Sequence, residues 1–186
     1  MQMTKNTGKT LIGKGRFLHL MERDTWEFVH RPDVSGVVDV IALTDDAKLL
    51  LVEQFRHACN ANVVELPAGL VGDQTGQADE TVLAAADREL LEETGYRAGQ
   101  LTELASGWSS PGHSTEQVTF VFATALSKVS DGGGVDDEAI TVHEVPVGQV
   151  LAWLDQRRAE GTEIGVRVYA SLCFAMQHLN QGNDTI

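Results

Sequence analysis

Apolar residues gather in short runs along the first part of the chain, before "VVELPAGL" (63–70): "RFLHLM" (16–21), "WEFVHR" (26–31), "SGVVDVIALT" (35–44) and "KLLLVEQF" (48–55). Runs of this length bounded by polar residues predict strands. The third and fourth are joined by a short turn at Asp45-Asp46, so a largely antiparallel layer is expected. Trp26 lies in the second run, where burial is the default role of a strand tryptophan. After a glycine-rich loop through Gly76 the period lengthens. Val82, Leu83, Ala86 and Leu90 recur at helical spacing, which predicts a helix over 79–94 with Asp79 as N-cap and Gly95 as its stop. Further strands are expected near 100–107, 116–126 and 139–145, then helices near 147–160 and 165–180. Strands first, with helices interspersed and late, predict an α+β sandwich whose sheet is covered by helices. The segment "DGGGVDDE" (131–138) reads as a mobile loop.

The predicted helix carries an unusual load of charge. In "DRELLEETGY" (87–96), Glu89, Glu92 and Glu93 stand at i, i+3 and i+4 and share one face. Like charges at that spacing destabilise an isolated helix by a few tenths of a kcal/mol per pair, so a cation is expected among them. A lone acidic helix is ordinarily a solvated face. The surrounding sequence decides otherwise.

A length of 186 residues fits one domain with a real core. The formal charge of −13 argues against a sequence-independent grip on nucleic acid or on an anionic membrane, so an anionic ligand must be held locally. Cys59 and Cys173 fit no metal-ligand spacing and no disulfide framework. The first residues lack the apolar core of a signal peptide, and no apolar run approaches a membrane span. A cytoplasmic protein without membrane partners is expected.

Glu80, seven residues, then Arg88-Glu89-Leu90-x-Glu92-Glu93-x-Gly95-Tyr96 resembles the signature of the Nudix hydrolases, in which a glycine precedes the first glutamate by six positions. Here that position holds Gln74, and Gly69 in "LPAG" is the natural counterpart, so the loop carries about five extra residues. "LLLVEQFR", "ELPAGL", Pro111 in "SSPGHSTE" and "EAITVHEVP" resemble the ADP-ribose and nucleoside diphosphate sugar pyrophosphatases of that family. The resemblance implies an α/β/α sandwich with a mixed, largely antiparallel sheet and an N-terminal β extension. It also implies a single domain over 1–186, with strands of 1–33 involved in dimerisation and a catalytic core over 34–186.

For function it implies metal-dependent hydrolysis of ADP-ribose to AMP and ribose 5-phosphate. The alternatives are a broader nucleoside diphosphate sugar pyrophosphatase and a non-catalytic nucleotide sensor. A pyrophosphate attacked by water calls for divalent cations, and oxygen ligands suit Mg²⁺ or Mn²⁺. Glu89 and Glu93 are the first choice of ligands, with the carbonyl of Ala68 completing the shell. Glu92 is expected to orient a metal-bound water or another ligand, and Arg88 to pair with neighbouring carboxylates. Glu138 and Asp136 are the candidates for general base, Glu138 favoured as base or outer ligand; a merely solvated turn is the competing reading. Arg56 matches an arginine that contacts the diphosphate or ribose in relatives, while Pro111 and Glu116 complete the substrate side. His57, His113 and His143 read as structural or surface residues. Trp26, Glu27 and Arg31 resemble an N-terminal stretch that contacts the nucleoside across the interface of dimeric relatives, which implies a homodimer with composite sites.

Overall fold

A computed structural model of the protein describes residues 8–73, 79–135 and 138–183. The three N-terminal strands β1 (Thr10–Lys14), β2 (His19–Arg23) and β3 (Trp26–His30) form a small antiparallel sheet. Strand β1 is not expected from the pattern, because its apolar residues Leu11 and Ile12 stay exposed and give no buried stripe. Trp26 departs from its default role too: it is 64% exposed.

Four strands follow: β4 (Gly36–Ala42), β5 (Lys48–Arg56), β6 (Ala61–Glu65) and β7 (Ala68–Val71). The stretch "VVELPAGL" (63–70) is thus divided between two strands. Pro67 has no N–H to give a ladder, and the chain uses the break to change sheets. Strand β6 pairs with β5, whereas β7 pairs with β4, and the Pro67 carbonyl accepts from Val40 N–H at 2.8 Å.

Helix α1 (Val82–Thr94) is capped by Thr81, not Asp79: the Thr81 hydroxyl accepts from Ala84 N–H at 3.2 Å. It stops at Gly95, whose left-handed φ of 76° is cheap only without a Cβ. Then come β8 (Tyr96–Trp108), β9 (Gln117–Lys128), β10 (Thr141–Pro146), α2 (Val150–Ala159), the short β11 (Glu163–Ile164) and α3 (Val166–Asn183). Two four-stranded mixed sheets result, ordered β10-β5-β6-β11 and β7-β4-β9-β8, with β4–β9 and β6–β11 as parallel pairs.

Strand β4 runs through the middle of the core and shows why helices cover both faces. Its Val38, Val40 and Ala42 pack with Ala85, Ala86 and Leu90 of α1. Ile41, and Leu43 just after it, pack with Leu154 of α2 and with Val168 and Leu172 of α3. Strand side chains alternate between faces, so Asp39 shares the α3 side with Ile41.

The glycines of the segment read as a mobile loop are hydrogen-bonded to α1. Gly133 and Gly134 donate to the carbonyls of Glu93 and Glu92 at 2.8 and 3.0 Å, satisfying acceptors that the helix leaves open at its C-terminal end. A Cβ on Gly132 would fall 2.4 Å from the carbonyl carbon of Thr94, so this close approach requires glycine. Among the described residues no helix is long and apolar enough to cross a membrane.

Candidate active site

The cation expected among the helix carboxylates is Arg88. Its Nε donates to Glu80 at 3.0 Å, and its Nη1 to Glu89 and Glu92 at 2.6 and 3.2 Å. Its Nη2 donates to the Leu70 carbonyl at 3.1 Å. One planar fork therefore relieves the repulsion within α1 and ties the helix to β7. Burial works against the guanidinium's charge, but Glu80 and Glu89 outweigh it and raise the pKa; the hydrogen bond from Arg88 in turn lowers that of Glu80.

Glu93 has no such arginine in direct contact. It is 4% exposed, and one of its oxygens accepts from the backbone N–H of Ala68 at 3.0 Å. Burial pushes its pKa up to about 8, and that of Glu89 up to about 7. Gly69 makes the approach of helix and strand possible, since a Cβ there would lie 1.8 Å from a carboxylate oxygen of Glu89.

Glu89, Glu93, Ala68 and Gly69 line a cavity of about 420 Å³ together with Arg31, Arg56, Glu116 and Glu138. Strand β5 ends on Arg56, whose Nε is held by Glu65 at 2.6 Å. Glu138 reaches the cavity with its carboxylate accepting from Val135 N–H at 3.0 Å. Glu92 is absent from this lining and is taken up by Arg88. Asp136 lies outside the described residues.

A neighbouring cavity of about 530 Å³ shares Arg31, Val37, Glu116 and Arg167 with the first and continues past Ser109, His113 and Thr115. Trp26 and Pro111 line a third, of about 350 Å³, with Trp108 and Phe28; Trp26 Nε1 donates to the Gly112 carbonyl at 2.8 Å. Glu27 is exposed and lines none of the three. His143 pairs with Glu53 at 3.0 Å and His113 with the Ser110 hydroxyl, both away from the helix carboxylates.

Sequence reasoning passes over Arg167, Asp39 and Glu65. Arg167 lines both larger cavities, and its Nε stands 3.2 Å from Asp39, which is 1% exposed. Burial pushes the Asp39 pKa up to about 6. A carboxylate inside "GVVDVIA" is the available signal, because an isolated charge in a fully apolar strand requires a partner.

The donor set around β7 and α1 consists of oxygens: the buried Glu93 and the half-buried Glu89, one helical turn apart, and the backbone of Ala68–Gly69. Among the described residues no three acidic, histidine or cysteine side chains converge as a ready metal cluster. Backbone carbonyls are ligands as well, and the backbone of Ala68, whose N–H donates to Glu93, lines the same cavity. Two carboxylates whose proton affinity is raised by burial, with no arginine in contact with Glu93, fit a hard divalent cation.

Helices cover a mixed-sheet fold, and one cavity gathers carboxylates and arginines on its walls. The family follows from comparison: a NUDIX domain model matches residues 35–163, and the chain belongs to the Nudix hydrolases. It is 36% identical over 155 residues to an ADP-ribose pyrophosphatase of Bacillus subtilis (strain 168), spanning 82% of this chain and 75% of the relative. It is 34% identical over 154 residues to a methanol dehydrogenase activator of Bacillus methanolicus, spanning 82% and 79%. A GDP-mannose pyrophosphatase of Yersinia pestis (strain Pestoides F) is 34% identical over 149 residues, spanning 75% and 72%. The fold matches a crystal structure described as an ADP compounds hydrolase with a TM-score of 0.72 over the whole of both chains at 20% identity. The protein is a Nudix hydrolase similar to ADP-ribose and GDP-mannose pyrophosphatases.

Proposed function

We propose that this enzyme hydrolyses ADP-ribose to AMP and ribose 5-phosphate with Mg²⁺ or Mn²⁺. The observation that carries the reading is the cavity itself, where Glu89 and Glu93 of α1 face Arg31 and Arg56. Glu89, Glu93 and the Ala68 carbonyl would hold the cation, which when bound neutralises phosphate charge and lowers the pKa of water. The chain's own groups supply the rest. Glu138 accepts the proton of the attacking water. Arg56, kept in place by Glu65, binds an anionic oxygen of the substrate, and Glu92 keeps Arg88 and hence Glu89 in position.

Residues 34–186 are proposed as the catalytic core and 1–33 as the dimerising extension of a cytoplasmic homodimer. Trp26 and Arg31, which line cavities of their own protomer with Pro111 and Glu116, are proposed to contact the nucleoside with Glu27 beside them, while the partner's extension borders the site. The exposure of Trp26, Leu11, Ile12 and Leu20 supports an extension that finds a partner surface, and light scattering at working concentration tests it.

A broader nucleoside diphosphate sugar specificity is the second reading. It is favoured by the similarity to GDP-mannose pyrophosphatases and by the size of the 530 Å³ cavity beside the carboxylates. A hydrolysis screen over ADP-ribose, ADP-glucose, GDP-mannose, NADH, diadenosine polyphosphates and nucleoside triphosphates, with each metal, separates the two. ADP-ribose is expected to have the highest kcat/KM; a higher value for GDP-mannose would move the assignment to the second reading.

A further inference from the structure

The acidic cavity has six carboxyl groups on its walls, from Glu65, Asp73, Glu89, Glu93, Glu116 and Glu138, and an anionic substrate must nevertheless enter it. Its arginines are not equally available. Arg56 is held by Glu65 at 2.6 Å. Arg167 reaches the wall that the 420 and 530 Å³ cavities share, and its Nη1 is buried without a hydrogen-bond partner among the described residues. Its Nε lies 3.2 Å from Asp39, close enough for an ion pair, yet neither Asp39 oxygen accepts a hydrogen bond from the described residues.

Such a pair is poorly explained by stability. Burying two charges is unfavourable unless the geometry is excellent and the remaining donors and acceptors are satisfied. Here three atoms of the pair are unsatisfied. Asp39 stands among Val37, Val38, Val40 and Ile41, where an apolar side chain would complete the packing between β4 and α3. A buried, unsatisfied polar group calls for a ligand or a role.

We propose that Arg167, oriented by Asp39, is a substrate-binding residue that holds the diphosphate of a nucleoside diphosphate sugar where the two cavities meet. The inference rests on the reading of the cleft as a nucleoside diphosphate sugar site. A substrate with one half in the 530 Å³ cavity brings its diphosphate past Arg167 on the way to Glu89 and Glu93. A guanidinium fork can give parallel donors to phosphate oxygens, and Asp39 engages Arg167 at Nε while Nη1 has no hydrogen-bond partner among the described residues. Asp39 is thus a positioning residue that acts through Arg167.

The test compares ADP with adenosine in calorimetric titrations under chelator, alongside KM and kcat for ADP-ribose. Arg167→Ala alone leaves Asp39 buried without its cation, so binding is read first on the Asp39→Val/Arg167→Ala double variant. It is expected to melt at or above the wild-type temperature. Its affinity for ADP should fall roughly ten- to a hundredfold, the range of a hydrogen bond to a charged group, while adenosine binding stays unchanged. KM should rise in parallel and kcat change much less. Arg167→Lys should lie between, because the charge survives and the fork does not. Asp39→Val should weaken ADP binding in the wild type and add nothing once Arg167 is alanine.

Unchanged ADP affinity in the folded double variant would overturn the inference and leave the pair as an anchor of α3. Equal losses for ADP and adenosine, or a wild type that binds ADP no better than adenosine, would overturn it as well. If the wild type hydrolyses another nucleoside diphosphate sugar in preference to ADP-ribose, the substrate assignment falls while the ADP comparison still decides the role of Arg167.

Discussion

The backbone N–H of Ala68 donates to a carboxylate oxygen of Glu93 at 3.0 Å, so strand β7 and helix α1 meet through one of the cavity's own carboxylates. Glu93→Gln keeps an oxygen for this bond and removes only the charge. We expect kcat to fall on the order of 10²-fold or more, as when a group that stabilises transition-state charge is lost. The melting temperature should hold or rise, since a buried charge is replaced by a neutral amide. Steady-state kinetics and thermal melts on the same preparation check both halves.

Arg88 serves the fold more than the substrate. Its side chain is 16% exposed and bonds Glu80, Glu89, Glu92 and the Leu70 carbonyl. Arg88→Ala leaves these carboxylates facing one another and should lower the unfolding free energy by about 3 kcal/mol, in the range for breaking a buried pair. Urea unfolding measures it. A change under about 0.5 kcal/mol, typical of surface substitutions, would show that the network is a solvated face after all.

A side chain at Gly69 is expected to displace Glu89. With a Cβ only 1.8 Å from a Glu89 oxygen, Gly69→Ala must displace that carboxylate. A shift of about 1 Å in a catalytic group can lower the rate by about 10²-fold. Far-ultraviolet circular dichroism should stay native while kcat drops; unaltered kcat would mean that Glu89 is not a metal ligand.

Glu138 approaches the cavity from the loop docked on the end of α1. If it accepts the proton of the attacking water, Glu138→Gln lowers kcat strongly and leaves KM nearly intact. Asp136→Asn is the control. Equal and small effects of the two substitutions would show that neither is the base.

The parts of this molecule that are legible in the sequence are those set by local spacing. The carboxylates of α1, the stop at Gly95 and the role of Arg88 all lie within one stretch of helix, where a fixed rotation per residue decides which side chains meet. The break at Pro67 is masked by apolar residues on both sides, and only the change of pairing partner from β5 to β4 reveals it. Strand β1 escapes notice because exposed apolar residues carry no periodic signal. The Asp39–Arg167 pair joins a strand to a helix much later in the chain, and half of it is visible. A lone aspartate among valines announces that a partner exists; only the packing of α3 on β4 identifies Arg167 as that partner.

The most direct test of the central claim is hydrolysis of ADP-ribose by the purified wild-type enzyme, followed by chromatography of the products with excess Mg²⁺ and with excess chelator. AMP and ribose 5-phosphate are expected in equal amounts with the metal, and neither with the chelator. Turnover undiminished in chelator, or no cleavage of any nucleoside diphosphate sugar in the presence of Mg²⁺ or Mn²⁺, would contradict that claim.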